Sequence, residues 1–154
     1  IQQKIATNNY DYVVIQQGPS SQVEGRKMLF DSGKVLSALC EKYNSKLVYY
    51  MVWPSKRYYF TFDKVIKNHT EAAQKNNALL FPVGKLWKQY ETLKNGTSLY
   101  GPDLFHPSKT GSFLAAIAMF KQLFPDEDLN ELSFKKVKKW VNKKSFKTIL
   151  TLVN

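Results

Sequence analysis

One stretch of the sequence combines residue types that could perform acid–base chemistry. In YGPDLFHPSKTG (residues 100–111), Asp103 precedes His106 by three positions and Pro107 follows. In a tight turn, residues three apart come close enough for a carboxylate to accept the hydrogen bond of a histidine Nδ1, which leaves Nε2 free as a general base. Such a pair is more often only part of a turn, so the spacing alone leaves both interpretations open.

The elements around this pair predict an α/β fold with a parallel sheet. Three short apolar segments are typical of strands that are covered on both faces: YDYVVIQ (10–16), KLVYYMVW (46–53) and ALLFPV (78–83). Helical patterns follow them at 26–43, 62–77 and 108–124, the last one stopping before a proline. Alternating strands and helices indicate right-handed crossovers between neighbouring parallel strands.

Ligands of open parallel sheets bind beyond the carboxyl ends of the strands. Three loops are expected there: QQGPSSQ (16–22), WPSKRYY (53–59) and the stretch 84–107, which contains Asp103 and His106. Trp53 ends the second strand, and it is either a wall of a substrate pocket or a core aromatic. A three-stranded sheet also leaves two edges, so either the C-terminal tail or a neighbouring molecule covers an edge, or strands are missing from the front.

Composition limits the class of protein. The chain has 154 residues, 44% of them hydrophobic and 14% aromatic, which suits one folded domain and excludes a disordered chain. No apolar run is long enough to span a membrane, and no signal peptide is visible. The net charge is +11, and seven lysines lie within 135–147. No nucleic-acid-binding motif accompanies them, so nucleic acid is not an expected partner. This region is either a solvated helix or a patch for anionic polymers or lipid headgroups.

Two further residues invite a chemical role. Cys40 is the single cysteine, which excludes an intrachain disulfide and a cysteine-based metal site, and its apolar neighbours predict an inert core thiol. His69 lies within a polar helical stretch, and we expect it at the surface rather than as a ligand. The sequence therefore predicts no metal site.

Four blocks of the sequence resemble the SGNH (GDSL-type) hydrolase superfamily, in particular a bacterial branch. They are YDYVVIQQGPSS, YYMVWPS, FPVGKLW and LYGPDLFHPSKTGSFLAA, and they cover roughly residues 8–125. The resemblance implies a flavodoxin-like three-layer α/β/α domain over 1–125. The amphipathic pattern after this match predicts a basic helical extension over 126–154 that packs on the same domain. It also implies a serine-type esterase, or GDSL-like acylhydrolase, that needs no cofactor. The substrate would be a small-molecule or carbohydrate ester, such as an acetyl ester. Because such proteins often carry export signals, an extracytoplasmic location is expected.

The resemblance also assigns roles to residues. His106 would be the general base and Asp103 its orienting partner. Gly18 matches an oxyanion-hole glycine, Ser20 stands where the family has an asparagine, and Gln16 or Gln17 could supply that donor instead. Trp53 is a further candidate for substrate binding.

The family's G-D-S block, with its nucleophilic serine, is absent from the sequence, as is the family's second strand. This predicts that the nucleophile lies upstream of Ile1, that the sheet lacks its first two strands and that the 154 residues alone are inactive. The alternative is a non-catalytic SGNH-like module that binds a glycan or an anionic polymer.

Overall fold

A computed structural model describes residues 1–93 and 96–154 of the chain. These residues form two compact units. Unit 1 consists of Ile1–Val52 and Phe60–Phe81, and unit 2 of Trp53–Tyr59 and Pro82–Asn154. A 3-10 helix, Lys56–Thr61, is divided between the two.

Unit 1 is built on a parallel sheet. Its elements are α1 (Gln2–Thr7), β1 (Tyr12–Gln16), α2 (Val23–Lys42), β2 (Lys46–Tyr50), α3 (Phe62–Lys75) and β3 (Leu79–Phe81). The described strands pair in the order β1-β2-β3, with Val48 opposite Val14 on one side and Leu79 on the other. The predicted α/β alternation and parallel pairing are confirmed, although each strand is shorter than the apolar segment from which it was predicted.

The strands of unit 1 differ in how far they are buried. In the central strand β2, Leu47, Val48 and Tyr49 are all buried. In the edge strand β1, burial alternates, and Val14 is 50% exposed. The prediction that every strand is covered on both faces is therefore wrong for β1, because an edge strand packs fewer neighbours than a central one.

Two residues considered for a chemical role, Cys40 and His69, are both buried in helices of unit 1. Cys40 is 1% exposed within a cluster that includes Leu29 and Tyr49, which confirms its predicted position in the core. His69 is fully buried, so its predicted surface position is wrong. The reason is helical spacing: His69 follows Val65 by four positions on the buried face of α3, and its ring Nδ1 lies 2.9 Å from the Val65 carbonyl oxygen.

Unit 2 is helical in its described residues. Beyond the shared 3-10 helix it contains α4 (Val83–Thr92), α5 (Lys109–Leu123), a 3-10 helix (Leu129–Glu131), α6 (Phe134–Val137) and α7 (Lys143–Val153). The predicted helix before Pro125 is confirmed as α5. Its N-cap is Ser108, whose hydroxyl accepts the Gly111 N–H at 3.1 Å.

The C-terminal residues pack on the earlier helices of unit 2. Helix α7 contacts both α4 and α5, and Phe146 packs its ring near Phe113 and Phe134. Val141 is buried, whereas Trp140 is 44% exposed. Within the described residues, no helix has the length and apolar character that a membrane crossing requires.

Candidate active site

The residues Asp103 and His106 form a bonded pair at the surface of unit 2. His106 Nδ1 lies 2.5 Å from Asp103 Oδ2, so the ring nitrogen donates to the carboxylate when it carries the proton. The other carboxylate oxygen, Oδ1, accepts the backbone N–H groups of Phe105 and His106 at 3.1 and 2.9 Å. The same aspartate therefore closes the turn and orients the imidazole.

The loop that carries this pair is closed by backbone bonds at its base. Gly101 N–H donates to the His106 carbonyl at 2.7 Å, and Ser108 N–H donates to the Leu99 carbonyl at 2.8 Å. Tyr100 and Pro107 form an isolated antiparallel bridge between these two bonds. The pair is therefore held on a short hairpin-like loop that leads directly into α5.

The electrostatics of the pair favour a charged carboxylate. The hydrogen bond with His106 and then the two backbone N–H groups lower the pKa of Asp103 to about 2. The side chain of His106 is 71% exposed, and Nε2 makes no hydrogen bond with any described residue of its own unit. Nε2 is thus available to accept a proton from a reacting group.

Trp53 belongs to the same unit as the pair, and its side chain is engaged. Its indole Nε1–H donates to the Phe105 carbonyl at 3.0 Å. Its ring stacks on Trp87 with centroids 3.9 Å apart and an interplanar angle of 9°. Trp53 is half-buried, so it is neither a free pocket wall nor a fully enclosed core residue.

The candidates Gln16, Gln17, Gly18 and Ser20 lie in unit 1, just after β1. The Gln17 amide donates to Ser20 Oγ at 2.6 Å and to the Gly25 carbonyl at 2.9 Å. Ser20 is 5% exposed, and its hydroxyl donates to the Gly18 carbonyl at 2.8 Å. The side-chain donors of Gln17 and Ser20 are thus bonded to the loop and to the first turn of α2, which stabilises the loop rather than presenting donors to a ligand.

Gln16 and Gly18 each have a hydrogen-bond donor that is not engaged. Among the described residues, neither the Gln16 amide nor the Gly18 backbone N–H is hydrogen-bonded. Gln16 and Gln17 line a cavity of about 220 Å³ in unit 1, together with Tyr50 and His69. A Cβ added to Gly18 would meet nothing within 4 Å, so the backbone at this position is open to approach.

Three residues in or near the Asp103–His106 turn, Leu104, Lys56 and Glu91, were not identified from the sequence. Leu104, between the aspartate and the histidine, has a left-handed backbone with φ of 58°. Lys56 donates its backbone N–H to the Leu104 carbonyl at 2.9 Å, and its ammonium pairs with Glu91. Their only signal in the sequence was their position in WPSKRYY (53–59) and in the stretch 84–107, two loops that were expected at the same edge of the sheet. Across the described residues, no cluster of three or more His, Cys, Asp or Glu side chains could hold a metal ion.

Comparison with known proteins supports the fold. No protein-family model matches the chain, and no curated protein matches it. Among solved structures, a protein from Slackia heliotrinireducens, described as "a putative SGNH hydrolase", is similar with a TM-score of 0.65 and 23% sequence identity. The match covers 79% of this chain and 70% of that chain. The chain therefore has an SGNH-like, flavodoxin-like α/β fold, as the sequence blocks predicted.

Proposed function

We propose that this chain carries the acid–base arm of a serine-type esterase that cleaves carboxylic esters. The carrying observation is the Asp103–His106 pair, bonded through Nδ1 with Nε2 left available, in an SGNH-like fold. Small acyl groups, such as acetyl esters on carbohydrates, are the proposed substrates. The Gln16 amide and the Gly18 N–H, as unengaged donors, are the proposed oxyanion groups, in place of Ser20 and Gln17.

The proposed reaction proceeds by proton transfer through His106. Nε2 takes the hydroxyl proton of the nucleophilic serine as its Oγ attacks the ester carbonyl. The imidazolium, stabilised by the Asp103 carboxylate, then gives that proton to the departing alcohol. A water molecule attacks the acyl-enzyme by the same route, which releases the acid and restores the serine.

The nucleophile is proposed to be a serine upstream of Ile1. Ser20, the serine at the loop after β1, is buried and bonded to the Gly18 carbonyl. In unit 2, Ser98 Oγ is bonded to the backbone of Tyr100. Neither hydroxyl is presented as the family's nucleophile would be, so the 154 residues alone are expected to be inactive.

The test uses the full natural protein and compares two isosteric variants. Asp103→Asn keeps an oxygen for the turn and removes the charge, while Asp126→Asn makes the same change at an exposed carboxylate far along the chain. We expect the rate of p-nitrophenyl acetate hydrolysis to fall by up to about 10⁴-fold for Asp103→Asn, as for triads of this type, and to stay unchanged for Asp126→Asn.

Covalent labelling completes this test. The unmodified full protein should gain one fluorophosphonate adduct by intact mass, and His106→Ala should abolish both adduct and turnover while the protein stays folded. Full activity in His106→Ala would exclude the esterase proposal.

A second candidate function is binding of an anionic polymer through the C-terminal lysines. All seven lysines between 135 and 147 are exposed, and none forms an ion pair with a described residue. Binding of heparin should then weaken steeply as salt rises, with a linear dependence of log K on log salt. A full protein that takes no adduct but binds heparin in this way would favour the binding module over the esterase.

A further inference from the structure

The supporting segment Trp53–Lys56, at the start of unit 2, bonds to the turn Asp103–His106. The indole N–H of Trp53 donates to the Phe105 carbonyl, 52 positions further along the chain. The backbone N–H of Lys56 donates to the Leu104 carbonyl at 2.9 Å. The two carbonyls between Asp103 and His106 are therefore both held from outside the turn.

The turn has a reason to need this support. Leu104 has φ of 58°, a left-handed conformation that residues with a Cβ adopt at an energetic cost. Its side chain is 55% exposed, so its own packing contributes little. Such a conformation persists only where neighbouring contacts determine it, and the bond from Lys56 is one of those contacts.

The supporting segment is itself anchored. The ring of Trp53 stacks on Trp87, which is fully buried. Tyr100 O–H donates to the Pro54 carbonyl at 2.9 Å. These contacts give the segment a fixed position from which it can hold the turn.

The Lys56 side chain adds a second anchor. Its ammonium pairs with the Glu91 carboxylate of α4, whose other oxygen accepts the Leu99 N–H at 3.3 Å. It also lies 4.8 Å from the centroid of the Tyr100 ring. Lys56 thus joins the supporting segment, α4 and the first residues of the catalytic loop.

We propose that Trp53, through its indole N–H, and Lys56, through its backbone N–H, are positioning residues for the Asp103–His106 pair. This inference rests on the proposed esterase function and deepens it. Neither residue touches the reacting atoms in this role; each acts through a carbonyl of the turn. Trp53 accordingly holds the turn that orients the histidine and does not form a wall of the substrate pocket.

The test replaces the indole with a ring that cannot donate. Trp53→Phe keeps an aromatic ring to stack on Trp87, and Trp140→Phe, at a 44% exposed position, is the matched control. Without the bond to Phe105, the turn loosens, so we expect the pKa of Asp103, observed by carboxyl NMR, to rise from about 2 toward its ordinary value of 3.8. We expect amide exchange of His106 N–H to quicken about fivefold, the factor for one lost hydrogen bond. Trp140→Phe should change neither.

Two further measurements keep the inference falsifiable. In the unmodified protein, the indole N–H of Trp53 should exchange with solvent more slowly than that of Trp140, and equal rates would overturn the inference without any variant. In the full protein, Trp53→Phe should lower kcat and leave KM within about twofold. A raised KM with an unchanged Asp103 pKa would instead make Trp53 a substrate-binding residue and refute the positioning role.

The NMR measurements separate this inference from the proposed function. If the full protein hydrolyses no ester, the esterase proposal fails, while the Asp103 titration still decides whether Trp53 holds the turn. If hydrolysis depends on His106 but Trp53→Phe leaves the Asp103 pKa, the His106 exchange rate and kcat unchanged, the function stands and the positioning role is refuted.

Discussion

Replacing Gly111 with alanine should strongly destabilise the protein, because no room exists for a Cβ. An added Cβ would lie 2.3 Å from the Leu99 carbonyl oxygen and 2.8 Å from a ring carbon of Trp87. Leu99 and Trp87 are both fully buried. An ordinary contact between such atoms is about 3.5 Å, so the backbone at Leu99 would have to move by about 1 Å.

The magnitude follows from what that movement disrupts. Overpacking a core typically costs about 1–3 kcal/mol. The Leu99 carbonyl also accepts the Ser108 N–H at the base of the loop that carries Asp103 and His106, and losing a buried bond costs about 1–3 kcal/mol. The better helix propensity of alanine returns up to about 1 kcal/mol. We expect a net loss of about 3 kcal/mol, or a fall in Tm of about 6–12 °C for a chain of this size.

Urea denaturation measures this loss, with Gly18→Ala as the matched control. A Cβ on Gly18 would meet nothing within 4 Å, and its φ is not in the left-handed region, so this change should stay within about 0.5 kcal/mol. If the two variants unfold at the same urea concentration, the close approach of α5 to Leu99 is not present in solution and the reasoning fails.

Three other predictions concern buried or paired groups. Burial lowers the pKa of His69, more than its backbone bond raises it, so the unfolded state binds the proton first. Stability should therefore fall as pH drops below about 6.5, and NMR should show His69 titrating at a lower pH in the folded protein than in the unfolded one. Burial raises the pKa of the Cys40 thiol, so a maleimide should label it only on unfolding and not in native buffer. Lys56→Met and Glu91→Gln, combined in a double-mutant cycle, should show a coupling of about 1 kcal/mol, because Glu91 is only 12% exposed; additive effects would mean that the pair does not form.

The buried face of α3 shows where sequence reasoning succeeds and where it stops. The helix was predictable from its apolar period, and Phe62, Val65 and Ala72 are buried as that period implies. His69 lies on the same face, four residues after Val65, yet polar neighbours in the sequence suggested a surface position. Giving the helical period more weight than the local polarity would have placed His69 in the core.

The Asp103–His106 pair and its contact with Trp53 differ in the same way. Asp103 and His106 are three residues apart, so their bonding follows from local turn geometry and could be predicted from spacing. The bond from Trp53 joins residues 52 positions apart, and it depends on how the chain packs within unit 2. No local pattern encodes such a contact, and the sequence therefore left the role of Trp53 open between a pocket wall and a core aromatic.

Asp103 serves two purposes in its turn. One carboxylate oxygen holds two backbone N–H groups and the other holds the imidazole, so the bonds that close the turn also orient the histidine. The left-handed Leu104 makes this turn costly, and the bonds from Trp53 and Lys56 offset that cost from within the same unit. These bonds around His106 all lie within unit 2. In the proposed esterase, a nucleophilic serine would therefore meet an imidazole whose tautomer and direction these bonds already determine.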